Sequence, residues 1–258
     1  MTARTLLAPA KLTLSLRVTG VRPDGYHELD AEMVTLSMAD ELVVDDDGDG
    51  LRVEGRAAAG EDEGLGDPAQ NLVVRALAAV QRRAAVRLTK RIPPGAGLGG
   101  GSADAAAVLR WAGCTDLALA ARLGSDVPFC LVGGRARVGG AGEVVVPLAH
   151  EQRDYVLLLP PFGVSTAAAY RAWDDAPSVE GANTLTAAAL VVEPRLTRWR
   201  DALGDLTGAE PVLAGSGSTW FVESGDGGDT ALPDELVVDG EKGRLVRARA
   251  VPRGWEGE

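Results

Sequence analysis

The sequence predicts a fold of mixed helices and strands, of the α/β or α+β class. Segments that alternate apolar and polar residues interleave with segments of helical spacing, the two kinds take roughly equal shares, and no repeat recurs at a fixed period. The chain has 258 residues, of which 46% are hydrophobic and 24% charged. This composition suits one large domain or two smaller ones with buried cores, and it excludes a wholly disordered chain.

The order of the segments gives the expected elements. Alternation predicts strands at 12–18, 33–44, 51–53, 86–92, 135–138, 143–148, 155–159 and near 244–250. Helical spacing predicts helices at 71–84, from Ser102 onward, at 116–123, within a loop and helix at 163–173, and at 185–203. The acidic stretch 45–50 is expected to be a hairpin turn and 60–70 an exposed loop. The polar stretch 149–154 predicts a boundary between an N-terminal domain, 1–149, and a C-terminal domain, 150–258.

The charge balance excludes general nucleic-acid binding. Lys and Arg number 26 against 37 Asp and Glu, a net charge of −11, which repels phosphate backbones but leaves room for a small phosphorylated ligand. Two cysteines form no disulfide framework or cysteine-based zinc site. Pro9 and Lys11 interrupt the N-terminus, which makes it a poor signal peptide, and no apolar run reaches the ~20 residues of a membrane helix. We therefore expect a cytoplasmic protein without a membrane partner.

A glycine-rich segment carries the strongest local signal. Residues 94–104 read PGAGLGGGSAD and lie between a predicted strand and a predicted helix. Glycine frees the backbone to approach an anion, and the helix N-terminus adds a positive dipole, so the segment predicts a phosphate-binding loop. It is not a Walker A loop, because Gly101 stands where that motif needs lysine. The alternative is a flexible loop followed by a helix that Ser102 caps.

Two further features are weak by themselves. A second glycine cluster, AGSGST at 214–219, is explained equally well by a tight turn. Only three of the basic residues are lysines, at 11, 90 and 242, so each lysine stands out against the arginines.

Six motifs in this order resemble the GHMP kinases, and within them the kinases of a cytidine diphosphate-linked methylerythritol. They are PAKLTL at 9–14, GVRPDGYHEL at 20–29, NL at 71–72, the glycine-rich loop at 93–104, GSDVPF at 124–129 and AGSGST at 214–219. The resemblance covers about residues 5–250. It implies an α+β fold of two domains, an N-terminal half like ribosomal protein S5 domain 2 and a ferredoxin-like C-terminal half, with the active site between them. It also implies transfer of the ATP γ-phosphoryl group to the 2-hydroxyl of 4-diphosphocytidyl-2-C-methyl-D-erythritol, a step of non-mevalonate isoprenoid synthesis.

The resemblance assigns the catalytic pair. Asp126 matches the aspartate that accepts the proton of the acceptor hydroxyl, and Lys11 matches the lysine whose charge stabilises that carboxylate. A base and a cation at one point suit phosphoryl transfer, which depends on positioning and charge stabilisation. Taken alone, Asp126 would be interpreted as a cap before Pro128, and Lys11 as an exposed strand residue.

The resemblance also assigns the two substrate sites. At ATP it places Asn71, Lys90, Pro94, Gly95, Ala96, Gly97, Leu98, Gly99, Gly100, Gly101 and Ser102. At the acceptor it places Tyr26 and His27, which hold cytosine by stacking and hydrogen bonding, with Thr13, Thr166 and Tyr170. Mg²⁺ is expected to accompany ATP, and Ser102 is the residue we assign to it.

Three departures from the family pattern concern the acceptor. Thr13 replaces the usual asparagine, Ala103 replaces a second serine, and the stretch 111–124 is short. Two alternatives stay open: a GHMP kinase with another acceptor, such as homoserine or a mevalonate-type alcohol, and a non-catalytic nucleotide-binding module. The acceptors of the first alternative carry no nucleobase that Tyr26 and His27 could hold. A module of the second kind would need no catalytic base and therefore no Asp126. A monomer and a homodimer are both compatible with the sequence.

Overall fold

The computed structural model describes residues 3–55, 70–225 and 232–257 and confirms the α+β class. The strands are β1 Arg4–Val21, β2 His27–Asp45, β3 Gly50–Glu54, β4 Ala85–Thr89, β5 Arg135–Gly140, β6 Val144–Leu148, β7 Asp154–Leu159, β8 Val212–Leu213, β9 Trp220–Ser224, β10 Glu235–Val238 and β11 Glu241–Arg249. The helices are α1 Leu72–Ala79, α2 Gly100–Trp111, α3 Leu117–Leu123, α4 Val127–Val132, α5 Thr166–Asp175, α6 Thr186–Val192 and α7 Leu196–Thr207.

The first sheet contains β1 to β6 in the order β3-β4-β2-β5-β6, with β1 also paired to β2. The long strands β1 and β2 pair antiparallel. The expected hairpin at 45–50 is wrong, because β4 lies between β2 and β3 and pairs parallel with β3. A parallel pair needs a crossover connection, and α1 lies in that connection.

The second sheet has the strand order β10-β11-β7-β9-β8, and all its pairs are antiparallel. Without β10 this is the fourth, first, third and second strand in chain order, which is the ferredoxin-like arrangement. In the described part of the connection between β9 and β11 we find the strand β10 and no helix. Helices α5 to α7 contribute Ala169, Ala189, Leu196, Trp199 and Leu203 to an apolar cluster with this sheet.

A shared apolar core joins the two sheets. It combines Ala10 and Leu12 of β1 with Tyr155 and Leu157 of β7, and all four side chains are buried. Because side chains alternate along a strand, Lys11 and Thr13 leave the opposite face of β1. The core therefore fixes which face of β1 is turned toward the site.

Several predicted boundaries shift for local reasons. The helix expected at 185–203 is two helices, because Pro194 disfavours helical geometry at Glu193, whose φ is −136°. Helix α2 begins at Gly100 rather than near Ser102. Helix α4 and strand β10 were not predicted, and 60–69 of the expected loop lie outside the described residues.

The first sheet ends with β6 at Leu148 and the second begins with β7 at Asp154. The segment between them contains the predicted domain boundary. The division into domains 1–149 and 150–258 stays a prediction. In the described part of the chain, no helix is long and apolar enough to span a bilayer.

We expect Gly243→Ala to destabilise the second sheet. A Cβ at Gly243 on β11 would overlap the indole ring of Trp199, which is fully buried on α7. Overpacking of this kind costs about 1–3 kcal/mol, because neighbouring side chains leave their preferred rotamers. Urea unfolding should show a lower midpoint at an unchanged slope.

Gly225→Ala is the matched control, because a Cβ there meets no atom of the described residues within 4 Å. Equal midpoints for Gly243→Ala and Gly225→Ala would contradict the close packing of Trp199 on β11.

Candidate active site

One cavity of about 860 Å³ contains every residue that the sequence assigned to catalysis, ATP or the acceptor. Its wall combines β1, the tip between β1 and β2, the glycine-rich loop, α2 and α5, with Gly215 and Ser216 from the second glycine cluster. The fold thus brings together motifs that lie up to 200 residues apart in sequence. Their individual roles remain predictions.

Lys11 and Asp126 face each other in this cavity. The Lys11 ammonium lies 3.5 Å from a carboxylate oxygen of Asp126 and donates a hydrogen bond to Thr13 Oγ1 at 3.1 Å. The Lys11 side chain is 6% exposed and the Asp126 side chain 33% exposed, so the carboxylate is open to a ligand. Asp126 stands at the N-cap of α4, yet its side chain makes no capping hydrogen bond. The interpretation of Asp126 as a simple cap is therefore wrong.

The glycine-rich loop and the second glycine cluster bind each other through the backbone. Ser218 N donates to Gly95 O and Thr219 N donates to Ala96 O, each at 3.1 Å. A Cβ at Gly97, whose φ is +76°, would overlap Ala214 O and lie 2.8 Å from Gly217 O. The second glycine cluster, which was a weak signal in the sequence, thus packs against the glycine-rich loop and holds it by backbone hydrogen bonds.

The helix after the loop begins without a side-chain cap. Gly99 is the N-cap of α2 in the left-handed conformation, with φ 67°, and no side chain of the described residues caps this helix. The alternative interpretation, in which Ser102 caps this helix, is therefore wrong, and the N–H groups of the first turn are available to an anion. Ser102 lies in the first turn of α2 and lines the cavity.

Lys11 lies between the two glycine segments. Its own N–H donates to Leu98 O at 3.0 Å. A Cβ at Gly99 would come within 2.8 Å of Lys11 Cγ, and a Cβ at Gly215 would come within 3.2 Å of Lys11 Nζ. Side chains at either glycine would displace the ammonium, so both segments fix its position.

Lys90 is held by two buried carboxylates. Its ammonium binds Asp40 and lies 2.7 Å from Asp104 Oδ2, while Asp104 Oδ1 has no hydrogen-bond partner among the described residues. Burial raises the pKa of Asp104 to about 7 although the Lys90 charge opposes this. Burial alone would lower the pKa of Lys90, but the charges of Asp104 and Asp40 outweigh it and raise that pKa.

This cluster fixes both ends of the glycine-rich loop. Asp40 also accepts from the backbone of Arg91 and Ile92, just before the loop, whereas Asp104 lies on α2 just after it. Lys90 lines the cavity, but its ammonium is already paired, so contact with ATP remains a prediction. Sequence reasoning did not predict Asp40, because no local motif indicates a role for it. Asp104 lies within the glycine-rich motif, but no role was predicted for it.

Part of the predicted acceptor site assembles around His27 and α5. His27 Nε2 lies 2.7 Å from Asp174 Oδ1, and its ring lies 4.6 Å from the Tyr170 ring, tilted by 35°. Trp173 approaches the same imidazole edge-on at 5.8 Å. Tyr26 is 58% exposed at the tip between β1 and β2. Sequence reasoning missed Asp174, whose helical spacing from Tyr170 was the available signal.

Two predicted binding residues also have structural partners. Thr166 Oγ1 lies 2.9 Å from Ser216 Oγ, which joins α5 to the second glycine cluster. Asn71 caps α1 by accepting from Val73 N at 2.9 Å.

Burial, and then the nearby charge of Asp126, raise the pKa of Tyr170, so its phenol stays protonated.

We expect Gly97→Ala to weaken nucleotide binding more than folding. The new Cβ would separate the loop from the second glycine cluster and force a strained backbone, which costs about 1–2 kcal/mol. Calorimetry with ADP should show an affinity about tenfold lower.

Gly20→Ala is the control, because its Cβ would meet only Glu28 Oε2 at 4.0 Å. Unchanged ADP affinity in Gly97→Ala would contradict the dependence of the loop on this close approach.

Comparison with known proteins agrees with this arrangement. The model of the GHMP kinases N terminal domain matches residues 71–134. The chain is 37% identical to the 4-diphosphocytidyl-2-C-methyl-D-erythritol kinase of Ruegeria pomeroyi, covering 83% of this chain and 86% of that one. It is also 37% identical to the kinase of the same name from Pelotomaculum thermopropionicum, covering 95% and 93%.

Solved structures agree as well. A crystal structure of 4-(cytidine 5'-diphospho)-2C-methyl-D-erythritol kinase superposes with a TM-score of 0.70 at 33% identity, covering 95% of this chain and 98% of that one. A mevalonate kinase structure superposes with a TM-score of 0.61 at 13% identity, covering 97% and 100%, which shows the shared fold alone. The chain therefore belongs to the 4-diphosphocytidyl-2-C-methyl-D-erythritol kinase family of the GHMP kinases.

Proposed function

We propose that the chain transfers the γ-phosphoryl group of ATP to the 2-hydroxyl of 4-diphosphocytidyl-2-C-methyl-D-erythritol, in cytoplasmic isoprenoid synthesis. The observation that carries the proposal is the Lys11–Asp126 pair, which faces the same cavity as the uncapped N-terminus of α2. Such a pair supplies a base and a cation beside a phosphate site. A module that only bound nucleotide would need neither.

The proton of the acceptor hydroxyl passes to the Asp126 carboxylate as the hydroxyl oxygen attacks the γ-phosphorus. The bond from that phosphorus to the bridging oxygen of ADP breaks, and ADP leaves with the electron pair. The Lys11 ammonium lies beside the Asp126 carboxylate and offsets the negative charge that gathers around the transferring group. Thr13 accepts a hydrogen bond from the Lys11 ammonium and so directs it within the cavity.

Phosphate binding falls to the glycine-rich loop and the first turn of α2, whose N–H groups stay uncapped. Among the described residues no cluster of three or more His, Cys, Asp or Glu could hold a metal ion. A single hydroxyl beside the phosphate loop, that of Ser102, suits Mg²⁺, because this ion takes few ligands from the protein and completes its shell with phosphate oxygens and water. The Ser102 hydroxyl would hold it, and bound Mg²⁺ would neutralise charge on the phosphates.

The aromatic residues favour a cytidine-linked acceptor over the alternatives. Tyr26 offers an exposed ring and His27 a hydrogen-bonding edge in the cavity, and base stacking is worth about 1–3 kcal/mol. Homoserine and mevalonate-type alcohols carry no base for these residues to hold. An ADP-release assay across a panel of these acceptors tests the proposal, and turnover with another alcohol only would overturn it.

We expect Asp126→Asn to lose about 10²–10⁴-fold in kcat, the usual contribution of a general base. Asparagine keeps the size of the side chain but does not accept the proton. Steady-state ADP release should show the loss, and calorimetry should show ADP affinity nearly unchanged.

Asp116→Asn is the matched control. Asp116 is also a helix N-cap, but it accepts from Ala118 N and Leu119 N, and asparagine caps helices equally well. If Asp126→Asn retains kcat within about threefold of wild type, Asp126 is not the base.

We expect Thr13→Val to lower kcat/KM for the cytidine-linked acceptor, because it removes the hydroxyl that accepts from the Lys11 ammonium. Loss of one hydrogen bond to a charged group should lower kcat/KM by roughly tenfold or more. Thr13→Asn should retain or raise kcat/KM, since the amide also accepts and reaches further.

Thr19→Val on the same strand is the control, because Thr19 is exposed and its hydroxyl donates to Glu28 O rather than to a residue of the cavity. Full activity in Thr13→Val would show that this hydroxyl has no part in directing Lys11.

A further inference from the structure

Helix α5 encloses the imidazole of His27 on three sides. Tyr170 packs on the ring at 4.6 Å, Trp173 meets it edge-on at 5.8 Å, and Asp174 Oδ1 lies 2.7 Å from Nε2. The His27 side chain is only 13% exposed, whereas that of Asp174 is 43% exposed. These contacts fix the orientation of the imidazole. Two of them are ring contacts, and the third, to Asp174, is a hydrogen bond to a carboxylate.

This hydrogen bond decides which ring nitrogen carries the proton. An ionised carboxylate only accepts hydrogen bonds, so Nε2 must carry a hydrogen to approach Asp174 at 2.7 Å. In the uncharged imidazole the other nitrogen, Nδ1, then has a lone pair and accepts. His27 lines the cavity, and Nδ1 is the nitrogen left for a ligand there.

We propose that Asp174 is a positioning residue that sets base specificity, by holding His27 in the tautomer whose Nδ1 accepts a hydrogen bond from the exocyclic amino group of cytosine. The inference rests on the proposed function. Cytosine presents an amino donor at this edge, whereas a base of the uracil type presents a carbonyl acceptor. With uracil, two acceptors would face each other, and a site with an unpaired polar atom rejects such a ligand.

The tautomer can be measured directly, because the chain has only two histidines, His27 and the exposed His150. In long-range ¹H–¹⁵N spectra of the free enzyme, His27 should show a protonated Nε2 and a lone-pair Nδ1. Asp174→Ala should convert this signal into a mixture of tautomers, while His150 serves as the internal reference. Asp175→Ala, the next residue on α5, removes the same charge without a contact to His27 and should leave the spectrum unchanged. A protonated Nδ1 in the wild type, or identical spectra for wild type and Asp174→Ala, would overturn the proposal.

Specificity is the second readout. We expect Asp174→Ala to lower kcat/KM for 4-diphosphocytidyl-2-C-methyl-D-erythritol about tenfold, mainly through KM, which is the scale of one net hydrogen bond. Turnover of the uridine analogue should change little, so the ratio of the two kcat/KM values falls by the same factor. The KM for ATP and the activity of Asp175→Ala should stay at wild-type values.

The outcomes separate this inference from the proposed function. An equal loss with the cytidine and uridine acceptors would assign Asp174 a merely structural role and overturn its part in specificity. Absence of turnover by the wild type with either acceptor would overturn the proposed function and the identity of the base with it. Wild-type turnover of the cytidine acceptor together with an unchanged ratio in Asp174→Ala would overturn the inference alone.

Discussion

The site depends on the close backbone approach of two glycine-rich segments that are more than a hundred residues apart. Gly95 O and Ala96 O accept from Ser218 N and Thr219 N, and a side chain at Gly97 would prevent this contact. Each backbone hydrogen bond contributes only about 1 kcal/mol net, but buried groups left unpaired would cost more. The approach therefore fixes the conformation of the glycine-rich loop.

Buried lysines complete this arrangement because each is paired with carboxylates. Lys11 lies against both glycine segments and faces Asp126, while Lys90 lies beneath Gly100 and binds Asp40 and Asp104. The third lysine, Lys242, pairs with Glu235 on the surface and is 69% exposed. A compact ammonium fits between backbone segments where a planar guanidinium would not, which explains lysine at these two buried positions of an arginine-rich chain.

The sequence predicted what local pattern encodes and missed what distant contacts decide. The glycine-rich loop, Lys11 and Asp126 could be placed because their motifs lie within short stretches of chain. The position of β4 between β2 and β3 could not, because only sheet pairing reveals it. Asp40 was equally hidden, since its carboxylate is recognised only once Lys90, fifty residues later, folds against it. The resemblance identified residues that line the cavity, but the contacts among them appear only in the structure.

Helix α5 connects the second glycine cluster to the proposed acceptor site through helical spacing. Thr166 contacts Ser216 in the second glycine cluster, and Tyr170, Trp173 and Asp174 surround His27 one and two turns later. Residues on a helix keep fixed distances, so the position of His27 is linked mechanically to the segment that fixes the phosphate loop. If the proposed roles hold, acceptor choice depends on the residues of α5 and of the tip between β1 and β2, and it can change while the Lys11–Asp126 pair stays in place.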